Sequence, residues 1–77
     1  MAPTVFRIWG FRVMIYPRDH EPPHVHIVGP GAEAKFVIDT LECTESWGFS
    51  EKSLNRIKEY LLERQSALQE AWDEYQK

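Results

Sequence analysis

The sequence predicts a small two-layer α+β domain, in which an antiparallel meander of about four strands precedes a C-terminal helix or kinked helix pair. Residues 4–44 contain short stretches of alternating apolar and polar side chains, separated by glycine and proline. Residues 50–76 instead repeat apolar side chains at three- and four-residue steps. The first pattern is typical of strands and the second of helices. The links between the strands are too short for crossovers, which favours antiparallel pairing.

Length and composition predict one domain over residues 1–77, with a sheet region at about 4–44 and a helical region at about 50–76. Apolar residues make up 43% of the chain, which is ample for a globular core. No apolar run approaches the roughly 18 residues of a membrane span. The N-terminus lacks the apolar region and cleavage site of a secretory signal. Because Cys43 is the only cysteine, we expect a reducing, cytoplasmic location.

The first two strands are predicted at residues 4–9 and 11–16, which are rich in β-branched and aromatic side chains. Gly10 lies between them and can adopt the positive φ of a tight turn. Pro17 ends the second strand. A third strand at 24–28 and a fourth at 33–39 flank the turn sequence Gly29-Pro30-Gly31.

Alternation along these strands predicts two different faces for the sheet. The core face should contain Phe11, Val13, Ile15, Val25, Ile27, Ala34, Phe36 and Ile38. The opposite face should contain Arg12, Tyr16, His24, His26 and Lys35.

Residues 40–49 are predicted to be irregular, with a short strand at Glu42–Thr44. Ser50 is a good N-cap for the helix that follows. Ser66 and Gln69 also fit a capping box. The pattern therefore leaves two alternatives, helices at about 51–64 and 67–76 or one helix kinked near residue 65. Their apolar stripe consists of Leu54, Ile57, Leu61, Leu68, Ala71 and Tyr75.

The candidate site is the stretch Asp19–Ile27, which contains all three histidines of the chain. His24 and His26 share one face of a strand, and the rigid Pro-Pro segment before them follows His20. Imidazole is a ligand for zinc, nickel and iron, so the three histidines are a candidate metal site for a divalent transition metal, manganese included. Asp19, Arg12 and Tyr16 complete the candidate site.

Two other interpretations of the histidines stay open. They can hydrogen-bond loop carbonyls and stabilise the turn, or they can bind a polar ligand without a metal. In a metal-free ribonuclease, one histidine would act as general base and a second as general acid, with arginine on the phosphate.

Net charge is −3 and unevenly distributed, which makes nucleic-acid binding a weaker alternative than protein binding. Residues 1–18 contain Arg7, Arg12 and Arg18 and no acid, whereas residues 19–49 contain six acids and Lys35. The basic N-terminal segment keeps RNA binding open.

The remaining chemistry-bearing residues are predicted to be structural. Cys43 is expected to be a small core residue, and all three tryptophans are expected to pack in the core or against a helix. At the end of the last helix, however, little sheet remains to cover Leu68 and Trp72. These two residues are therefore the predicted contact for a partner protein or a second copy.

The run Asp-His-Glu-Pro-Pro-His-Val-His at residues 19–26 resembles the bacterial family known as domain of unknown function 4160. Residues 3–8, residues 31–40 and the helix containing Ala71-Trp72 resemble the same family. The resemblance implies a small cytoplasmic bacterial protein. It also implies a gene found beside a second small gene, an arrangement from which a toxin–antitoxin role has been suggested. It supplies no catalytic residues.

Of the three functions, a protein-binding or regulatory module is favoured, as one component of a toxin–antitoxin-like gene pair. A metal-dependent enzyme using His20, His24 and His26 is the first alternative. An RNA-binding protein or metal-free ribonuclease is the second.

Overall fold

A computed structural model of the chain describes residues 4–17 and 20–76, with the backbone alone described at residues 4 and 5. It contains one antiparallel sheet of five strands in the order β1-β2-β3-β4-β5, followed by two helices. The strands are β1 (Thr4–Ile8), β2 (Phe11–Met14), β3 (His24–Gly29), β4 (Ala32–Val37) and β5 (Cys43–Trp47), and the helices are α1 (Glu51–Leu62) and α2 (Gln65–Tyr75). The predicted α+β class is confirmed. In the part of the chain that is described, no helix is long and apolar enough to cross a membrane.

One face of the sheet packs against both helices and forms the core. Val25 and Ile27 of the central strand are fully buried, and their neighbours across the sheet are Phe36 and Val13. All eight residues predicted for the core face are buried or packed against the core. The helices cover them with Ile57, Leu61, Leu68 and Trp72.

The turn between β1 and β2 consists of Trp9 and Gly10, because Ile8 pairs with Phe11. Both turn residues have a positive φ, 45° at Trp9 and 80° at Gly10. Two positive φ values are characteristic of the hairpin turn that matches the natural strand twist. Glycine adopts this conformation readily, but a bulky residue there costs about 1–3 kcal/mol. Trp9 is therefore a strained residue.

The fifth strand is longer and later than the short strand predicted at Glu42–Thr44. β5 lies at an edge of the sheet, and four of its five residues are exposed. Such a strand shows no apolar alternation, so the sequence pattern does not reveal it. Glu45 pairs with Lys35 and Cys43 with Phe36, which leaves Thr44 as a bulge.

The C-terminal half forms two helices, one of the two alternatives that the pattern left open. The predicted capping box at Ser66 is wrong, because Ser66 lies inside α2 and the N-cap residue is Arg64, which makes no side-chain cap. The start of α2 is held instead by Gln65, whose Nε2 donates to the Ile38 and Asp39 carbonyls at 2.8 and 2.9 Å. The start of α2 is thus held by a contact between residues far apart in the chain, rather than by the predicted local cap.

We predict that Ser50→Ala lowers the free energy of unfolding by about 1 kcal/mol. The Ser50 hydroxyl caps α1 by accepting a hydrogen bond from the Ser53 amide at 3.1 Å. Ser66→Ala is the matched control, and it should be neutral or slightly stabilising because alanine favours a helix interior. Urea unfolding measures both variants. Equal destabilisation by the two would contradict the helix start described here.

Candidate functional site

His24, the first residue of β3, is buried, with 2% of its surface exposed. The peptide bond between Glu21 and Pro22 is cis, and the His24 Nδ1 atom lies 2.7 Å from the Pro22 carbonyl oxygen. A carbonyl oxygen only accepts hydrogen bonds, so Nδ1 carries a proton and donates it. His24 thus makes the hydrogen bond to a loop carbonyl that one interpretation of the histidines predicts, and its stabilising effect on the turn stays a prediction.

A series of aromatic contacts surrounds His24. Its ring centroid lies 5.3 Å from that of Trp72, 5.1 Å from that of His26 and 6.2 Å from that of His20. His26 in turn makes an edge contact with Tyr16 at 4.5 Å. The structure therefore brings together four of the six predicted site residues and adds Trp72.

The predicted register of β3 is correct, because Val25 and Ile27 face the core. His24, predicted on the face opposite the core, is nevertheless buried, and the Trp72 ring lies beside it. At the end of α2, the Gln76 Nε2 atom donates a hydrogen bond to the Tyr16 carbonyl at 2.9 Å. This bond joins the end of α2 to the segment that follows β2. A contact 60 residues apart in the chain cannot be deduced from strand alternation.

The described histidines differ from the predicted metal site. Among residues 4–17 and 20–76, no three His, Cys, Asp or Glu side chains are arranged to hold a metal ion. His24 Nδ1 is used for the turn, so only its Nε2 could act as a ligand. His26 Nδ1 lies 3.9 Å from a carboxylate oxygen of Glu33, which is an ion pair when the imidazole is protonated. Asp19 lies outside the described residues.

Arg12 lies near the start of β2. It pairs with Val28 on β3 and is directly opposite Arg7 on β1. The two arginines, both exposed, line a hollow of about 360 Å³ with Gly10, Val28, Gly29 and Pro30. Arg12 therefore lines a hollow whose lining does not include the histidines.

Comparison with known proteins identifies the family. A family model described as domain of unknown function (DUF4160) matches residues 10–73, most of the chain. The chain belongs to this family. No curated protein and no solved structure gives a significant match.

In this DUF4160 member the three tryptophans occupy different environments. Trp72 is a core residue, as predicted, with 3% of its surface exposed, and Leu68 is fully buried. The premise that little sheet covers Leu68 and Trp72 is therefore wrong, and partner binding through them stays a prediction. Trp9 is 54% exposed but lies against α1, as predicted, through Arg56 and Tyr60. Trp47 is predicted in the core or against a helix but is 61% exposed. Both precede a glycine with positive φ, and this Trp-Gly pairing is the available signal that Trp9 lies in a turn and that Trp47 ends a strand.

We predict that His24→Ala lowers the free energy of unfolding by about 2–4 kcal/mol, because it opens a cavity and leaves the Pro22 carbonyl without this donor. His20→Ala is the matched control and should change it by no more than about 0.5 kcal/mol, since His20 is exposed. Denaturant unfolding compares the two. If His24→Ala proves as stable as His20→Ala, the structural role of His24 is refuted.

Proposed function

We propose that this chain is a protein-binding module that docks a partner at the β5 edge, with Trp47 as the anchor. The observation that carries the proposal is the 61% exposure of Trp47 on an edge strand. An edge strand has backbone groups that can pair with an added strand. Tryptophan is enriched among the residues that dominate binding energy at interfaces. After the Thr44 bulge, β5 pairs with β4 in regular register at Glu45, Ser46 and Trp47. A partner strand would pair with this part of the edge.

Charge around β5 favours a basic segment as the occupant. Glu42 and Glu45 are exposed, and Glu33 pairs with Trp47 on the neighbouring strand. Lys35, opposite Glu45, is the only lysine or arginine among residues 19–49. Two copies of β5 paired with each other would bring acidic edges together, and like charges facing each other across strands are destabilising. A basic extended segment of another protein is therefore the better complement than a second copy.

A regulatory role fits this proposal, and one form of it is a component of a toxin–antitoxin-like gene pair. The support is the family resemblance together with an exposed edge strand. A cytoplasmic location, favoured by the lone Cys43, is part of the same proposal.

The partner is sought by affinity capture of the whole chain from its own cells. We predict that Trp47→Ala weakens capture about thirtyfold or more, the loss expected for an interface anchor. Trp9→Ala is the matched control, because Trp9 is similarly exposed but lies in the β1–β2 turn. Equal capture by the unmodified chain and Trp47→Ala would refute docking at β5. A captured second copy of this chain, detected by light scattering, would replace the basic partner with a homodimer.

Stability measurements make the capture result interpretable. Since Trp47 is exposed, Trp47→Ala should change the free energy of unfolding by no more than about 0.5 kcal/mol. A loss well above this value would mean that Trp47 supports the fold rather than a partner.

A further inference from the structure

The β1–β2 hairpin contains three features that oppose stable folding. Arg7 and Arg12 are directly opposite each other on neighbouring strands, and like charges in that arrangement repel. Trp9 has a φ of 45°, which bulky residues rarely adopt. More than half of the Trp9 surface is exposed to solvent. Local conflicts of this kind are expected where a surface serves binding.

The arginine pair forms a positively charged concave surface. The lining residues of its hollow, about 360 Å³ in volume, include both arginines and none that is acidic. Among the described residues, no carboxylate forms an ion pair with either guanidinium. Planar guanidinium groups with several donors match the geometry of phosphate oxygens. The hollow therefore suits a phosphate group.

The Trp9 ring lies at the tip of the same hairpin and is held by residues of α1. The Arg56 guanidinium lies 4.5 Å from the centroid of the ring, and the Tyr60 ring lies 6.2 Å away at an angle of 60°. Arg64 covers Tyr60 in the same manner at 3.6 Å. These contacts orient Trp9 while leaving 54% of it exposed. A fixed, exposed aromatic ring is a platform on which a nucleobase can stack.

We propose that the β1–β2 hairpin binds single-stranded nucleic acid, with a base on Trp9 and a phosphate at Arg7 and Arg12. This combination of stacking and phosphate contacts is how sequence-tolerant single-strand binders work. A second hollow, beside Trp9 and Arg56, is lined by Glu59 and Glu63. These two carboxylates would repel a phosphate, which leaves the Arg7–Arg12 hollow as the proposed phosphate site. The hairpin lies at the opposite edge of the sheet from β5, and its proposed ligand differs in chemistry from the proposed protein partner.

Fluorescence anisotropy of a labelled oligouridine, with the whole chain as titrant, tests the proposal. We expect binding that weakens as salt is raised. Trp9→Asn should reduce affinity about tenfold or more through lost stacking. It should also keep or raise the melting temperature, because Asn-Gly is a favoured sequence for this turn. The double variant Arg7→Gln/Arg12→Gln should weaken binding and reduce the slope of log affinity against log salt by about 0.7, from one single-strand phosphate contact.

Matched controls separate this surface from general charge and exposure. Lys52→Gln/Lys58→Gln removes two exposed positive charges from α1, and Trp47→Asn removes the other exposed tryptophan. Both controls should bind within about twofold of the unmodified chain, since neither touches the stacking platform. A duplex of the same length should bind more weakly, because its base faces are covered.

Four results would overturn the proposal. The first is no binding at protein concentrations up to about 100 μM, the weak end of non-specific affinities. The second is an equal loss of affinity in the lysine control and the arginine variant, which would indicate general charge. The third is duplex binding as strong as single-strand binding. The fourth is unchanged affinity in Trp9→Asn. A DNA strand of the same length distinguishes RNA from DNA as the natural ligand.

Discussion

The hydrogen bond from His24 to the Pro22 carbonyl is the constraint on which the rest of the structure depends. A buried imidazole needs a partner for its donor, and the Pro-Pro turn supplies one. The same turn is bonded to the end of β4, since the Ile38 amide donates to the Pro23 carbonyl at 2.9 Å. The ring of His24 then contacts Trp72, which belongs to the core beneath α2. One side chain thus connects the turn, the sheet and the second helix.

The two surfaces proposed for binding do not include the histidines. His24 is joined to the core, so we expect its replacement to lower the free energy of unfolding, whereas His20 is exposed. The exposed tryptophans lie elsewhere, Trp9 at the tip of the first hairpin and Trp47 on the acidic edge strand. The three histidines lie close together in the sequence, and this clustering predicts a site. His24 is buried, whereas Trp9, Trp47, Arg7 and Arg12 are exposed. We therefore propose the exposed residues, rather than the histidines, as the binding residues.

Local patterns predicted the fold well, because strand alternation and helical spacing follow from which side chains are buried. The core face of the sheet, the Gly10 turn and the two-helix alternative were all accessible in this way. Long-range contacts were not. Gln65 holds the start of α2 from across the domain, and Gln76 reaches Tyr16 over 60 residues. The sequence predicts that the histidines lie close together. It does not predict the contact between the rings of His24 and Trp72, because these residues are far apart in the chain.

The most direct test of the structural account is a double-mutant cycle between His24→Ala and Trp72→Leu, measured by denaturant unfolding. If the two rings stabilise each other, as their 5.3 Å separation implies, the changes will be coupled. The double variant should then be less destabilised than the sum of the single variants by about 1 kcal/mol. Additivity within about 0.3 kcal/mol would contradict the account, because independent sites show that behaviour.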